Sequence, residues 1–445
     1  MSTSVNYNNL ISKSLIFLIV FLSPITIWGM GSQETVQICK LVRHNIDHID
    51  DGDGLEIADF NNDGKMDIVI AESEAGKIVW YEQGDSLDTW KRHEIISGYT
   101  KIEGVDVLST NETNYIIILE QAEGKVIIAG DENGEPEKEW KQTTLDSDAP
   151  WVQCSLEADI DQDGDFDIFY AYEGKNQHEG GGIYWLENLG GDLLNAENWK
   201  KNLISRNSGA WWIAQNRIDA NGDGNITELI FTSRDAQDGG IFWLEPTENI
   251  TDPWIKHTIE DGEDYRPLHV TTGNFFDDDN NYDIAAAAMN EGEGAYLYRF
   301  SDGFSRHILR KDGQFHNIIA LNLDNKGRDE LILVRGKALL SVFLDNIMVY
   351  QFDQKEYVQR WKTIYRKADD RIIAYDLTKN GYAEVISVAA NDNSVDWWEV
   401  KFGVCPSPFI RDLTILSIFG GLIAILIILI RKIDFKKILN RIKSE

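Results

Sequence analysis

Cysteine is scarce in this chain: three in 445 residues, at positions 39, 154 and 405. So few exclude a small scaffold stapled together by disulfides. Cationic residues are short as well, 42 Lys and Arg against 74 Asp and Glu, for a formal charge of −32. Nucleic-acid binding needs the opposite balance, and that class is excluded. Long uncharged apolar runs are missing from the body of the chain and occur only near its two ends. No LPxTG-like sorting motif precedes the second run, and no local motif demands catalysis.

The two runs differ in kind. Residues 14–28 follow Lys13 and lead into Gly29, Gly31 and Ser32, the layout of a secretory signal peptide over residues 1–31. Leu413 to Ile430 is 18 residues without a charge, long enough to cross a bilayer. Residues 404–412 form a juxtamembrane linker before it. A basic tail, 431–445, follows with Arg431, Lys432, Lys436, Lys437, Arg441 and Lys443. Positive-inside bias puts this tail in the cytoplasm and the rest outside, a single-pass type I protein of the cell membrane. The tail and Lys13 are net positive, so the exported part is more acidic than the whole.

What is abundant is Asp on alternate positions. Asp159-Ile-Asp161-Gln-Asp163-Gly164-Asp165-Phe-Asp167 turns carboxylates around a glycine free to take positive φ, an oxygen cage for Ca²⁺. An EF-hand opens with the same spacing but needs Glu at position twelve and then a helix. Position twelve is Tyr170, inside the β-branched and aromatic run Ile168 to Tyr172, which reads as a strand. Asp59-Phe-Asn61-Asn-Asp63-Gly64-Lys65-Met-Asp67 repeats the pattern, and Asp219-Ala-Asn221-Gly-Asp223-Gly224 follows it less strictly. Weaker copies begin near 275, 322 and 376, and a copy at Asp106 to Asn114 has lost the acids. The spacing is about 47 to 60 residues, which predicts a propeller or solenoid.

Each unit reads strand, loop, strand, Gly-rich turn, aromatic strand, and a fourth strand opening on an aromatic residue. Four strands in each of seven units predict an all-β, seven-bladed β-propeller over residues 36–403. The seventh unit stops after its third strand, while Cys39 to Ile46 has the fourth-strand pattern and precedes the first unit. An N-terminal strand is therefore expected to complete the last blade and remove the open edges. The fourth-strand histidines 44, 93, 257 and 307 lie in different blades and read as strand-surface residues, not as a catalytic set.

The loops and their apolar flanks resemble the FG-GAP/VCBS repeat family, which includes the propeller of integrin alpha subunits. That resemblance implies structural Ca²⁺. Its ligand pattern falls on Asp59, Asn61, Asp63 and Asp67, and on Asp159, Asp161, Asp163 and Asp167, with backbone carbonyls from Lys65 and Asp165. Blade four keeps Asp219, Asn221 and Asp223, and Glu228 after Thr227. In blade six Lys326 stands at position five, where its ammonium can neutralise Asp324 without metal. The family is diverse in function, so the fold does not assign one.

Aligning Cys39 and Cys405 with blade four brings both near the turn between third and fourth strands, which predicts a Cys39–Cys405 disulfide locking the closure. Cys154 reads as a buried free thiol. The face opposite the Asp loops is expected to carry the ligand. Its turns hold Trp151, Trp211, Trp212, Arg266, His269, His316 and Arg335, with Glu173 and Arg234 among them. Rings there suit sugar faces, and the polar groups suit hydroxyls or carboxylates. Two functions fit. One is a membrane-anchored extracellular binding or adhesion module for a glycan or protein. The other is a polysaccharide-active enzyme, lyase-like, using Tyr265, Arg266, His269, His316 and Arg335.

Overall fold

The computed structural model describes residues 37–403, except 111–112, 132–134, 175–180, 215–217, 223–226, 235–238, 262–264, 266, 277–281, 289–293, 312, 336–346, 354–355, 363–370 and 390–392. The expected signal peptide, linker, span and tail lie outside the described residues, as does Cys405. Among the described residues no helix is long and apolar enough to cross a membrane.

The described residues form seven four-stranded antiparallel sheets. The innermost strands are Gly52–Ala58, Ile102–Ser109, Val152–Ala158, Ala210–Ala214, Pro267–Gly273, Phe315–Leu321 and Arg371–Tyr375. Six sheets run in sequence order. The seventh takes its outer strand from the N-terminus: Gln37–His48 pairs with Ser394–Gly403 from Gln37 opposite Gly403 to His48 opposite Ser394. The expected closure is thus present, and it leaves no blade short of a strand.

The strand chemistry follows position in the sheet. A second strand such as Asp67–Glu72 is buried along its whole length, because both its faces meet neighbouring blades. A run like Ile-Val-Ile-Ala, apolar throughout, is what such a strand requires. The outer strand Trp90–Ser97 alternates and puts Lys91, Arg92 and Glu94 in solvent. Seven apolar clusters join each sheet to the next, Trp80 with Ile118 between blades one and two and Phe169 with Phe231 between three and four. Ile68 and Tyr81 of blade one pack with Val388 and Trp397 of blade seven, which closes the ring. The outer histidines belong to this frame: His93 and His257 stack on Trp80 and Trp243 and bond Glu82 and Glu245 at 2.9 and 2.8 Å.

Asp106 is not a loop residue but lies within the inner strand Ile102–Ser109, whose following loop is short. Blade two lost its acids, so the nearest Asp in sequence was several residues too early.

Candidate functional site

Strand pairing defines two ends. At one, Ala58 faces Asp67 and Ala158 faces Asp167, and the Asp loops connect them. At the other, Gly52 faces Glu72 and Val152 faces Tyr172.

At the loop end, left-handed residues recur at loop positions four and six: Asn62 and Gly64, Gln162 and Gly164, Asn325 and Gly327, Lys379 and Gly381. This curls the loop so that backbone N–H groups meet the carboxylates. In blade three, Asp163 N donates to Asp161 Oδ1 at 3.2 Å, Gly164 N to Asp159 Oδ2 at 3.2 Å and Asp165 N to Asp163 Oδ1 at 2.9 Å. Asp159, Asp161 and Asp163 each offer an oxygen within 4.8 Å of the others. Asp159 Oδ1 is buried and has no hydrogen-bond partner. A buried orphan acceptor among converging carboxylates fits a hard divalent cation. In blade one, Asp59 Oδ1 and Oδ2 accept from Asp63 N and Gly64 N, Asn61 Oδ1 accepts from Asp63 N, and Lys65 Nζ lies 3.6 Å from Asp63. In blade four Asp219 accepts from Gly222 N at 2.7 Å; Asp223 lies outside the described residues. Lys326 Nζ stands 3.5 Å from Asp324 Oδ2 in blade six, the internal counter-charge expected from its position.

Asp67 and Asp167 do something the loop pattern did not announce. Asp67 is fully buried and accepts from Phe60 N at 3.1 Å and Gln83 N at 2.8 Å. Asp167 does the same with Ile160 N and Asn188 N. Asp283, Glu330 and Glu384 take loop N–H groups at the matching place, from Phe276, Leu323 and Leu377. Loops with and without a full ligand set share this anchor.

At the opposite end, the inner strands of blades one to six each carry a β-bulge at the same register. The extra residues are Asp53, Glu103, Gln153, Trp211, Leu268 and His316, with Arg371 at the start of blade seven's inner strand. A bulge re-aims a side chain without breaking the sheet. Arg371 spans the channel: its Nη2 donates to the Glu103 carbonyl of blade two at 3.4 Å, and its guanidinium lies 5.0 Å from the Trp212 ring of blade four. Trp212 packs on His269 at 4.2 Å, and His269 lies 5.8 Å from His316. Burial, and then the charges of Arg371 and His316, hold His269 well below its ordinary value, so it is neutral. Glu103 accepts from Gln121 Nε2 at 2.7 Å, and Gln121 accepts from Lys101 Nζ at 2.9 Å. Arg234 stacks 4.5 Å from the Trp211 ring. Burial pushes the Glu173 carboxyl up to about 7, with Arg234 opposing and Glu103 adding.

Behind this mouth a cavity of about 380 Å³ is lined by the inner strands of all seven blades. Glu56, Asp106 and Glu157 face it from blades one, two and three. Burial raises all three, and the charge of Asp106 raises Glu56 and Glu157 further. Ser155 Oγ donates to Asp106 Oδ2 at 3.1 Å.

The structure places Trp211, Trp212, His269 and His316 in inner strands rather than in turns, and Arg335 at the end of a second strand. It brings Trp212, His269, His316 and Arg371 together; Trp151 lies in the turn before blade three's inner strand. His269 and Arg335 are 1% and 9% exposed. Arg266 lies outside the described residues. Sequence reasoning missed Asp53, Glu103, Gln153 and Arg371, which look like ordinary alternating polar residues until the bulges are known. Cys39 is disulfide-bonded, and Cys154 is free and buried.

No protein-family model matches the chain, and no curated protein matches it in sequence. Solved structures do resemble it. A crystal structure of BBS1N in complex with ARL6DN, soaked with lead, is 10% identical with a TM-score of 0.52, covering 83% of this chain and 98% of that one. The mercury-soaked crystal of the same complex is 11% identical with a TM-score of 0.49 and the same coverage. At such identity the likeness concerns the fold alone. With its seven cyclically packed sheets, the chain is a seven-bladed β-propeller.

Proposed function

We propose that this chain is a membrane-anchored, extracytoplasmic binding module of the FG-GAP/VCBS type, with structural Ca²⁺ at one end and its ligand at the other. The ligand is a glycan or an extracellular protein. The observation that carries this reading is the ring of register-matched bulges. Six blades repeat one backbone device yet carry different residues at it, with Asp53, Glu103, Trp211 and His316 half-buried at the mouth and Gln153 and Leu268 buried behind it. A repeated scaffold with unrepeated side chains at one end is the form of a binding face. The similar BBS1N propeller is held in a complex with a protein, which supports binding as a class and lends no ligand chemistry.

The lyase reading has less support. It needs a base and a cation in contact with sugar, and His269 and Arg335 are buried. Immobilised polysaccharides and extracellular proteins, screened with the full chain, test the choice. Binding lost in Trp211→Ala supports the module. Release of unsaturated sugar that stops in His269→Ala would replace it with the enzyme.

Calcium is expected to act on stability. Chelation removes the charge that holds Asp159, Asp161 and Asp163 together, so the melting temperature should fall, and Asp161→Asn should reduce that fall. An unchanged melting temperature in excess chelator would remove calcium from the proposal.

A further inference from the structure

The residue before an inner strand takes a left-handed conformation in three blades: Asp51 at φ 50°, Trp151 at 62° and Gly209 at 52°. Its carbonyl accepts from the residue that ends the second strand's turn, Ser73 N at 2.7 Å, Glu173 N at 3.1 Å and Arg234 N at 3.3 Å. The turn is therefore structural, and glycine or a short polar residue suits it. Tryptophan does not: a bulky side chain at positive φ is a strained outlier, and such outliers gather at functional positions.

Among the described residues, packing does not account for the tryptophan. Trp151 is half-buried, belongs to none of the seven apolar clusters, and makes no hydrogen bond or ring contact through its indole among the described residues. Polar groups flank its turn and the matching turn of blade four. Gln153, two residues on, is 3% exposed, and its Nε2 has no partner. Arg234 is fixed over Trp211, with the stacked ring as its side-chain contact. Glu173, whose N–H closes the Trp151 turn, is 2% exposed and feels the charge of Arg234. Among the described residues, an uncovered aromatic face beside a guanidinium and an unpartnered amide N–H calls for a ligand with a flat apolar side and many acceptors.

Resting on the binding-module reading above, we propose that Trp151 is a stacking platform for a pyranose ring and that Arg234 takes the carboxylate of that sugar, so the ligand is an acidic polysaccharide. The Trp211 stack holds the Arg234 guanidinium flat, which favours a bidentate grip on a carboxylate.

The test uses the calcium-loaded full chain in detergent, with a galacturonate oligomer and a neutral galactose oligomer as probes, measured by titration calorimetry. Trp151→Gly should weaken binding of the acidic oligomer by about tenfold, the worth of one aromatic contact. Its melting temperature should hold or rise, since glycine relieves the strain. Arg234→Gln should abolish the preference for the acidic oligomer over the neutral one. A Trp151→Gly chain that melts lower and binds as well as the parent makes Trp151 structural and overturns the proposal. Equal affinity of the parent for both oligomers overturns the acidic class and leaves a glycan ligand standing. A parent chain that binds neither oligomer overturns the proposal together with the glycan part of the reading beneath it.

Discussion

Asp67 has no solvent exposure, and each of its carboxylate oxygens receives a backbone N–H, from Phe60 and from Gln83. It ties the start of the Asp loop to the end of the third strand. That pair of bonds explains why an acid persists at the matching place in blades whose loops have lost other ligands. Glu330 holds Leu323 N beside a loop already neutralised by Lys326, and Glu384 holds Leu377 N in blade seven. Alanine at Asp67 would leave two buried donors unsatisfied, at about 3 kcal/mol in total. Urea unfolding of Asp67→Ala should show that loss in chelator as well as in calcium. A loss seen only in calcium would make Asp67 a ligand and nothing more.

At the scale of the strand, the closure rests on one segment. Gln37–His48 adds the outer edge to blade seven, and Arg43 Nε meets the fully buried Asp396 at 2.8 Å, with Asn45 and Ser394 donating to the same carboxylate. Cys39 is the bulged residue of this pairing, opposite the stretch ending at Gly403, and it is disulfide-bonded. Its expected partner, Cys405, lies outside the described residues, and Cys154 is free. Peptide mapping without reduction should recover Cys39 linked to Cys405, and Cys39→Ala should cost about 2–5 kcal/mol. Two free thiols in native protein would dismiss the lock. The strands themselves were legible because each carries its own signal. Ile68-Val-Ile-Ala71 is apolar throughout, and Trp90-Lys-Arg-His93 opens an edge strand. The closing strand was legible because a seventh unit missing one strand and an unassigned strand at the start imply each other. The bulges were not. An inserted residue such as Glu103 or Gln153 has no composition of its own, and only pairing reveals that it opposes nothing. The channel acids were hidden for a related reason. Glu56, Asp106 and Glu157 come from three blades some fifty residues apart, and closing the ring is what makes them neighbours.

The whole molecule carries an excess of negative charge, and the channel concentrates part of it. Glu56, Asp106 and Glu157 line one cavity, and Arg371 is the cationic side chain that lines it with them. Burial leads the upward shift of all three carboxyls, and the charge of Asp106 adds to it for Glu56 and Glu157. Glu173 at the mouth is pushed the same way, up to about 7. Unfolded, each of these groups titrates near 4. Between that value and its raised folded value, the folded chain holds a proton that the unfolded chain has released. The stability tied to these protons is fully present below the ordinary carboxylate range and is lost as pH rises through the raised values. For Glu173 that window runs from about 4 to 7. At constant saturating calcium, the melting temperature should therefore fall as pH is raised from 5.5 toward 8, within the range set by these shifts. Glu157→Gln keeps the shape and an amide for Asp106 while removing one ionising group, so its melting temperature should fall less steeply and should exceed the parent's at the alkaline end. Parallel curves for the two proteins would show that the channel acids are screened by water in the cavity and contribute nothing to the pH dependence.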